Sequence, residues 1–217
     1  YLLSGVLVLS LALRMGAGDF LLGKSSGADG QLHVNFLDIG QGDATIIITP
    51  SGKTLLVDGG PYQNVLGELG EVLPRGKKEL DYVIATHPDK DHAEGLLYVL
   101  NYYKVHHFIV SGFKNNNNLS RKILEKIRKT KTHLIFADER SDIDFGDGTR
   151  LDVLYPFEKM VSTPEETNTA SIVARLTYGR NEVLLTGDMP IQIEDELIKH
   201  GVVIQADILK VGHHGSK

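Results

Sequence analysis

Thr86-His87-Pro88-Asp89-Lys90-Asp91-His92 packs four potential metal ligands, His87, Asp89, Asp91 and His92, into one short segment. The segment follows the apolar run 81–85 and leads into a helical pattern, so it reads as a strand-to-helix turn. Such a turn can aim His87 and Asp89 one way and Asp91 and His92 another, serving two neighbouring cations. The ordinary alternative is a solvated loop in which Asp89 caps the helix.

Other apolar runs end in the same manner. Leu55-Leu56-Val57 runs into Asp58-Gly59-Gly60, Val183-Leu184-Leu185-Thr186 into Gly187-Asp188, and Ile208-Leu209-Lys210-Val211 into Gly212-His213-His214-Gly215-Ser216. A lone aspartate after a strand is usually a turn residue. Four runs that each end in Asp or His, usually beside glycine, point instead to reactive groups presented at strand ends by a rigid scaffold.

Working outward, short runs rich in Val, Ile, Leu and Thr recur at 33–39, 44–49, 54–57, 82–86, 107–110, 133–137, 150–154, 170–178, 182–186 and 207–211, each bounded by Gly, Asp, Asn or Pro. That is strand punctuation. Helical spacing appears at 93–103, 119–130 and 190–200, the last with Pro190 at its start and Gly201 at its stop. The early strands read as hairpins and the later ones as alternating with helices, which gives a mixed α/β body.

The 217 residues suffice for one large core, and an apolar fraction of 41% with 24% charged residues excludes a disordered chain or a multi-span membrane protein. The absence of cysteine excludes disulfides, a thiolate nucleophile and thiolate-held metals. A formal charge of -5 gives no overall basic field. The exception is 114–131, where Lys114, Arg121, Lys122, Lys126, Arg128, Lys129 and Lys131 face the single acid Glu125. Such a helix can track a phosphate backbone, although a solvated face is the commoner cause of a charge run.

Residues 1–22 read as an apolar membrane-anchor or signal-like segment cut at its start, since the unbroken run 2–13 lacks polar alternation; a buried strand or helix is the competing reading. As a helix that run reaches about 20 Å, short of the ~30 Å hydrocarbon core. Residues 23–31 read as a linker and 32–217 as the folded domain, with its C-terminus expected to be incomplete.

Asp58, the segment 87–92, Asp188 and the pair His213-His214 resemble, in order, spacing and strand context, the metallo-β-lactamase superfamily. The stretch 34–60, the 168–171 turn and the Lys210–Ser216 ending resemble more narrowly the C-terminal domain of ComEC-type competence proteins, membrane channels for DNA uptake. The resemblance spans 32–217. It implies an αβ/βα sandwich, two mixed β-sheets flanked by helices with metals along one edge. His87 and Asp89 would bind one ion, Asp91 and His92 a second, Asp188 would bridge them, and a histidine of the 213–214 pair would complete the set. Asp58 would orient the ligand turn from behind. His213 is taken as the ligand and His214 as the group reaching substrate, though the sequence does not separate the two.

Two departures matter. Hydrolytic members of the superfamily carry His where this chain has Asp89, and another near Asn168. Oxygen in place of imidazole favours manganese beside zinc. Two divalent ions, Mn or Zn, would activate water and clamp a phosphoryl oxygen. His214 would protonate the leaving oxygen, with Asn168 and Ser171 donating to phosphate. The resemblance thus implies a metal-dependent phosphodiesterase, a nuclease on single-stranded DNA, associated with the cell membrane through its N-terminal segment or a parent channel and placed outside the cytoplasm. The rivals are a cell-wall phosphodiesterase or phosphorylcholine esterase using the same site, and a non-catalytic DNA-binding or gating domain.

Overall fold

The computed structural model describes residues 10–12, 28–113, 117–160 and 165–212. Its first sheet runs in chain order: β1 (Ser10–Ala12), β2 (His33–Phe36), β3 (Thr45–Ile48), β4 (Thr54–Val57), β5 (Glu79–Ala85), β6 (Lys104–Val110) and β7 (His133–Phe136). Strands β1 to β4 are antiparallel and β4 to β7 parallel. Parallel neighbours need crossovers. These are supplied by α1 (Val65–Val72), by α2 (Lys90–Ala93) with α3 (Gly95–Tyr102), and by α4 (Asn118–Thr130).

The second sheet contains β8 (Ile143–Asp144), β9 (Thr149–Tyr155), β10 (Val173–Tyr178), β11 (Asn181–Leu185) and β12 (Ile208–Lys210), in the spatial order β12-β11-β10-β9-β8. All its pairs are antiparallel except β11 with β12, which are joined across α5 (Ile191–Lys199). A 3₁₀ turn, Thr167–Ala170, leads into β10.

Side-chain alternation builds the layers. Ile46, Ile48, Leu56, Val83 and Phe108 leave the first sheet on its outer face and pack against Leu69, Leu96, Val99, Ile123 and Ile127 of the helices. Ile47, Leu55, Ile84 and Ile109 leave it on the other face and meet Leu151, Val153, Ala174, Leu176, Val183 and Leu185 of the second sheet. Val173 and Leu184 turn outward again to Ile193 and Leu197 of α5. Burial on both faces explains why β3 and β4 read as continuous apolar runs. The result is the expected sandwich: helices, sheet, sheet, helix.

Two features depart from the expectation. Helix α1 went unread because Gly67 and Gly70 interrupt its propensity; it is held by Val65 and Leu69, both fully buried. The later strands do not all alternate with helices. Tyr178 pairs with Asn181 across Gly179 (φ +63) and Arg180, a two-residue turn that forces an antiparallel hairpin.

At the N-terminus Ser10–Ala12 pairs with β2, Leu11 opposite Val34; the rest of the apolar segment lies outside the described residues. Asp29, inside the stretch read as a linker, accepts the Gln31 N–H at 3.0 Å and lies 2.8 Å from His33 Nε2. Among the described residues no helix is long and apolar enough to cross a membrane.

Candidate metal centre

The site forms where the C-terminal ends of β4 and β5 meet the end of β11. Asp58 closes β4 in a left-handed conformation, φ +59, which aspartate tolerates better than most residues. Its N–H donates to Ile84 O at 2.8 Å. Its buried carboxylate accepts the Thr86 N–H on Oδ1 and the Thr86 hydroxyl on Oδ2, each at 2.8 Å. The same Oδ2 lies 2.8 Å from His92 Nδ1. A carboxylate on Nδ1 fixes the ring with its Nε2 turned into the site.

Glycines let the backbone close around this arrangement. A Cβ on Gly95 would fall 1.8 Å from Gly59 O, and one on Gly42 would fall 2.1 Å from Asp91 O. Neither position tolerates a side chain, so the turn after β4, the loop before β3 and the start of α3 lock together. The Gly59 N–H donates to His92 O at 2.8 Å.

Ligand atoms of His87, His92 and Asp188, all buried, lie within 4.8 Å of one another. His92 Nε2 stands 3.2 Å from Asp188 Oδ1, and the two imidazole centroids are 4.3 Å apart. Asp188 reaches the cluster from the second sheet through Gly187 (φ +52), where a Cβ would meet Thr86 Cβ at 2.9 Å. The Ile172 N–H donates to Thr86 O at 3.0 Å, and the Asp188 N–H donates to Ser171 Oγ at 3.1 Å. Both sheets therefore contribute to one cage.

The donor set fits a divalent ion. His87 Nδ1 lies 3.0 Å from Thr86 Oγ1, while its Nε2 is buried without a hydrogen-bond partner among the described residues. An orphaned buried polar atom costs about 1–3 kcal/mol unless a ligand meets it. Two imidazoles and one carboxylate are borderline-to-hard donors suited to zinc or manganese.

Electrostatics point the same way. Burial, with the neighbouring His92, pushes His87 below its ordinary range, favouring the neutral, coordinating form. Burial opposes charge on His92 too, but Asp58 and Asp188 outweigh it and raise this imidazole to about 10. Burial also opposes ionisation of Asp188, yet the contact with His92 holds it well below the usual carboxylate range. A metal taking His92 Nε2 would therefore have to displace a proton.

Of the other residues singled out in the sequence, Asp89 lies at the rim, its Oδ2 3.7 Å from His87 Nε2. Asp91 is tied in through its backbone, its carbonyl accepting the Asp43 N–H at 3.2 Å; its carboxylate is not in the converging trio. Asn168 sits in the 3₁₀ turn, its carbonyl accepting the Ser171 N–H at 3.0 Å. Ser171 is fully buried, and its Oγ accepts the Asp188 N–H. His213 and His214 lie outside the described residues.

Two residues were not read from the sequence. Lys210 Nζ contacts Asp43 Oδ2, lies 3.7 Å from Asp188 Oδ1 and donates to Gly187 O at 3.0 Å. Asp43 Oδ2 in turn stands 3.8 Å from His92 Nε2. Burial pushes the Asp43 carboxyl up, and Lys210 opposes the shift. Asp43 follows a Gly-Gln-Gly turn between two strands, and Lys210 precedes the paired histidines; neither carries a ligand spacing of its own.

Comparison with known proteins agrees with the fold and the narrower likeness. "ComE operon protein 3" of Bacillus subtilis (strain 168) is 31% identical over 203 residues, covering 85% of this chain and 26% of that protein. "Recombination protein 2" of Haemophilus influenzae is 32% identical over 190 residues, covering 85% of this chain and 21% of that protein. The chain thus spans about a quarter of the length of these relatives. Among solved structures, a Cronobacter sakazakii metallo-beta-lactamase with a HARLDQ motif superposes with a TM-score of 0.56 at 12% identity, over 81% of this chain and 69% of that one. The metallo-beta-lactamase SMB-1 gives 0.54 at 14% identity, over 88% and 80%. These two likenesses are of fold. The family profile "Metallo-beta-lactamase superfamily" matches residues 37–217. Members of that superfamily bind divalent metals and are mostly metal-dependent hydrolases. With its sandwich, its ligand turn and a sequence match over most of its length, the chain belongs to the metallo-beta-lactamase superfamily.

Proposed function

We propose that the chain is a metal-dependent phosphodiesterase, a nuclease acting on single-stranded DNA within a ComEC-like DNA-uptake protein. The observation that carries this reading is the convergence of His87, His92 and Asp188 around the orphaned His87 Nε2. In this reading His87 and Asp89 hold one ion, Asp91, His92 and His213 a second, and Asp188 bridges them. Manganese or zinc there would supply Lewis acidity toward a phosphoryl oxygen and an acidified water. Asp58 orients His92, and Ser171 fixes the Asp188 backbone. Asn168 donates to phosphate and His214 returns a proton to the leaving oxygen.

Helix α4 supports a polyanionic substrate. Arg121, Lys122, Arg128 and Lys129 are exposed while Ile123 and Ile127 are buried, so charge covers the outer face. Strand β6 runs parallel to β5, so the loop feeding α4 leaves the sheet at the same edge as His87. In this reading the N-terminal end of the basic face points toward the sheet edge that carries His87. The names of the two curated relatives agree with a role in competence or recombination, and membrane association with an extracytoplasmic domain follows from the ComEC likeness. Residues 32–217 form the hydrolase domain in this reading, with residues 1–22 as anchor or signal-like segment.

Metal analysis of the purified chain, together with digestion of linear single-stranded DNA in Mn(II) and in Zn(II), tests the proposal. Cleavage that is lost in Asp188→Ala, with the circular dichroism spectrum and melting curve kept, supports it. Retention of DNA without cleavage under every metal overturns it in favour of a binding domain.

A further inference from the structure

We infer that Lys210 is the built-in counter-ion of the metal centre, competing with a divalent cation for Asp188 and so setting the affinity of the site. The inference rests on the metal-centre reading above and extends it to a residue that holds no metal.

The geometry is specific. Lys210 enters from β12, the last strand of the second sheet, and its side chain is only 12% exposed. A buried ammonium is costly unless it is paired and hydrogen-bonded. Here three oxygens meet it: Asp43 Oδ2 in direct contact, Gly187 O at 3.0 Å and Asp188 Oδ1 at 3.7 Å. Asp188 Oδ1 is also the atom 3.2 Å from His92 Nε2, on the side where the donor set converges. One carboxylate oxygen is thus claimed by an ammonium from one side and by the ligand cage from the other.

Two cations at that separation repel. In a half-buried site that repulsion is not screened away. A divalent ion taken up by His87, His92 and Asp188 gains less from Asp188 while Lys210 stays close. Asp43 supplies the alternative. Its direct contact with Lys210, against 3.7 Å for Asp188, lets the ammonium keep one partner while yielding the other. Thr186 holds the base of the lysine in place, its hydroxyl donating to Lys210 O at 2.8 Å, so only the side chain need move.

The test titrates Mn(II) and Zn(II) alone into metal-free protein by calorimetry, with the natural chain and Lys210→Gln, which retains a donor for Gly187 O. The expected result is metal binding roughly tenfold tighter in the variant, one unfavourable charge having been removed from beside the site. Lys210→Arg, which keeps the charge, should bind near the natural value. Should the glutamine variant fail to fold, the natural protein still decides. During a Zn(II) titration the ¹⁵N-detected ammonium resonance of Lys210 should move in step with metal stoichiometry. Unchanged affinity in Lys210→Gln, or a Lys210 resonance that stays fixed through saturation, overturns the counter-ion role while leaving the metal centre intact. Absence of saturable binding to the natural chain with either ion would overturn both.

Discussion

Asp58 and His92, thirty-four residues apart, meet at 2.8 Å, carboxylate Oδ2 on imidazole Nδ1. One side chain thereby joins the end of β4 to the ligand turn after β5 and presets the face that His92 shows to a metal. Asp58→Asn keeps the size but replaces a charged acceptor by a neutral amide. The expected outcome is a ten- to hundredfold weaker metal affinity, the range typical for loss of a partner behind a metal-bound histidine. Thermal stability should fall as well, by about 1–3 kcal/mol for the disturbed buried bonds. Calorimetric titration and melting curves measure the two separately.

Gly95 permits the contact on which that geometry depends. A methyl group there would press on Gly59 O at 1.8 Å, far inside contact distance and against backbone. Gly95→Ala should cost about 1–3 kcal/mol, as overpacking does, and should lower metal affinity because the Asp58 turn is pushed aside. Denaturant unfolding of the variant against Gly67→Ala, where a Cβ meets nothing within 4 Å, isolates the clash from the general effect of removing a glycine. The second change should leave stability unchanged or raise it.

Asp147 gives a pH dependence remote from the site. Burial opposes its ionisation, but the Ser51 hydroxyl and N–H and the Thr149 N–H hold its carboxyl below the ordinary range. A carboxyl depressed in the folded state stabilises above its unfolded pKa, about 3.9, and loses that contribution as pH falls through the folded value. Asp147→Asn should therefore be less stable than the natural protein by about 1–2 kcal/mol at neutral pH. The gap should stay constant down to about pH 5 and shrink in more acidic solution. Urea midpoints across that range measure it.

The outer face of α4 should behave as a phosphate track. Lys122→Gln with Lys129→Gln removes two exposed charges and leaves Ile123 and Ile127 in the core. Each single-strand phosphate contact contributes about 0.7 to the salt slope, so the pair should flatten it by roughly 1.4. Hydrolysis of a small phosphodiester should be unaffected, because α4 supplies no ligand. An unchanged salt slope would assign the charge run to solvation alone.

Much of the fold was legible because burial on two faces writes itself into the chain. Thr45–Ile48 and Thr54–Val57 are wholly buried and read as unbroken apolar runs. Asp58, His87 and Asp188 were legible for another reason: each follows closely on such a run, and the ends of neighbouring strands share an edge, while His92 stood out through its spacing from His87 in the same turn. Helix α1 was hidden because Gly67 and Gly70 weaken the local signal that Val65 and Leu69 restore by packing. Asp43 and Lys210 were hidden because their pairing is wholly tertiary. Nothing near either residue announces a partner more than a hundred and sixty positions away. The contact of Ser171 Oγ with the Asp188 N–H was likewise hidden, because the two adjoin different strands. The direction of a side chain at the start of a strand depends on what the opposite sheet brings to it.

The bond from Ile172 to Thr86, with Gly187 wedged against the Thr86 side chain, makes the ligand cage a clasp between the halves of the sandwich. A cation seated there would tie residues 87 and 92 of one half to residue 188 of the other, and its binding energy would be spent partly on keeping the halves shut. Chelation should accordingly loosen the seam between the sheets before it disturbs either sheet alone, and amide exchange at Ile172 and Asp188 should quicken first.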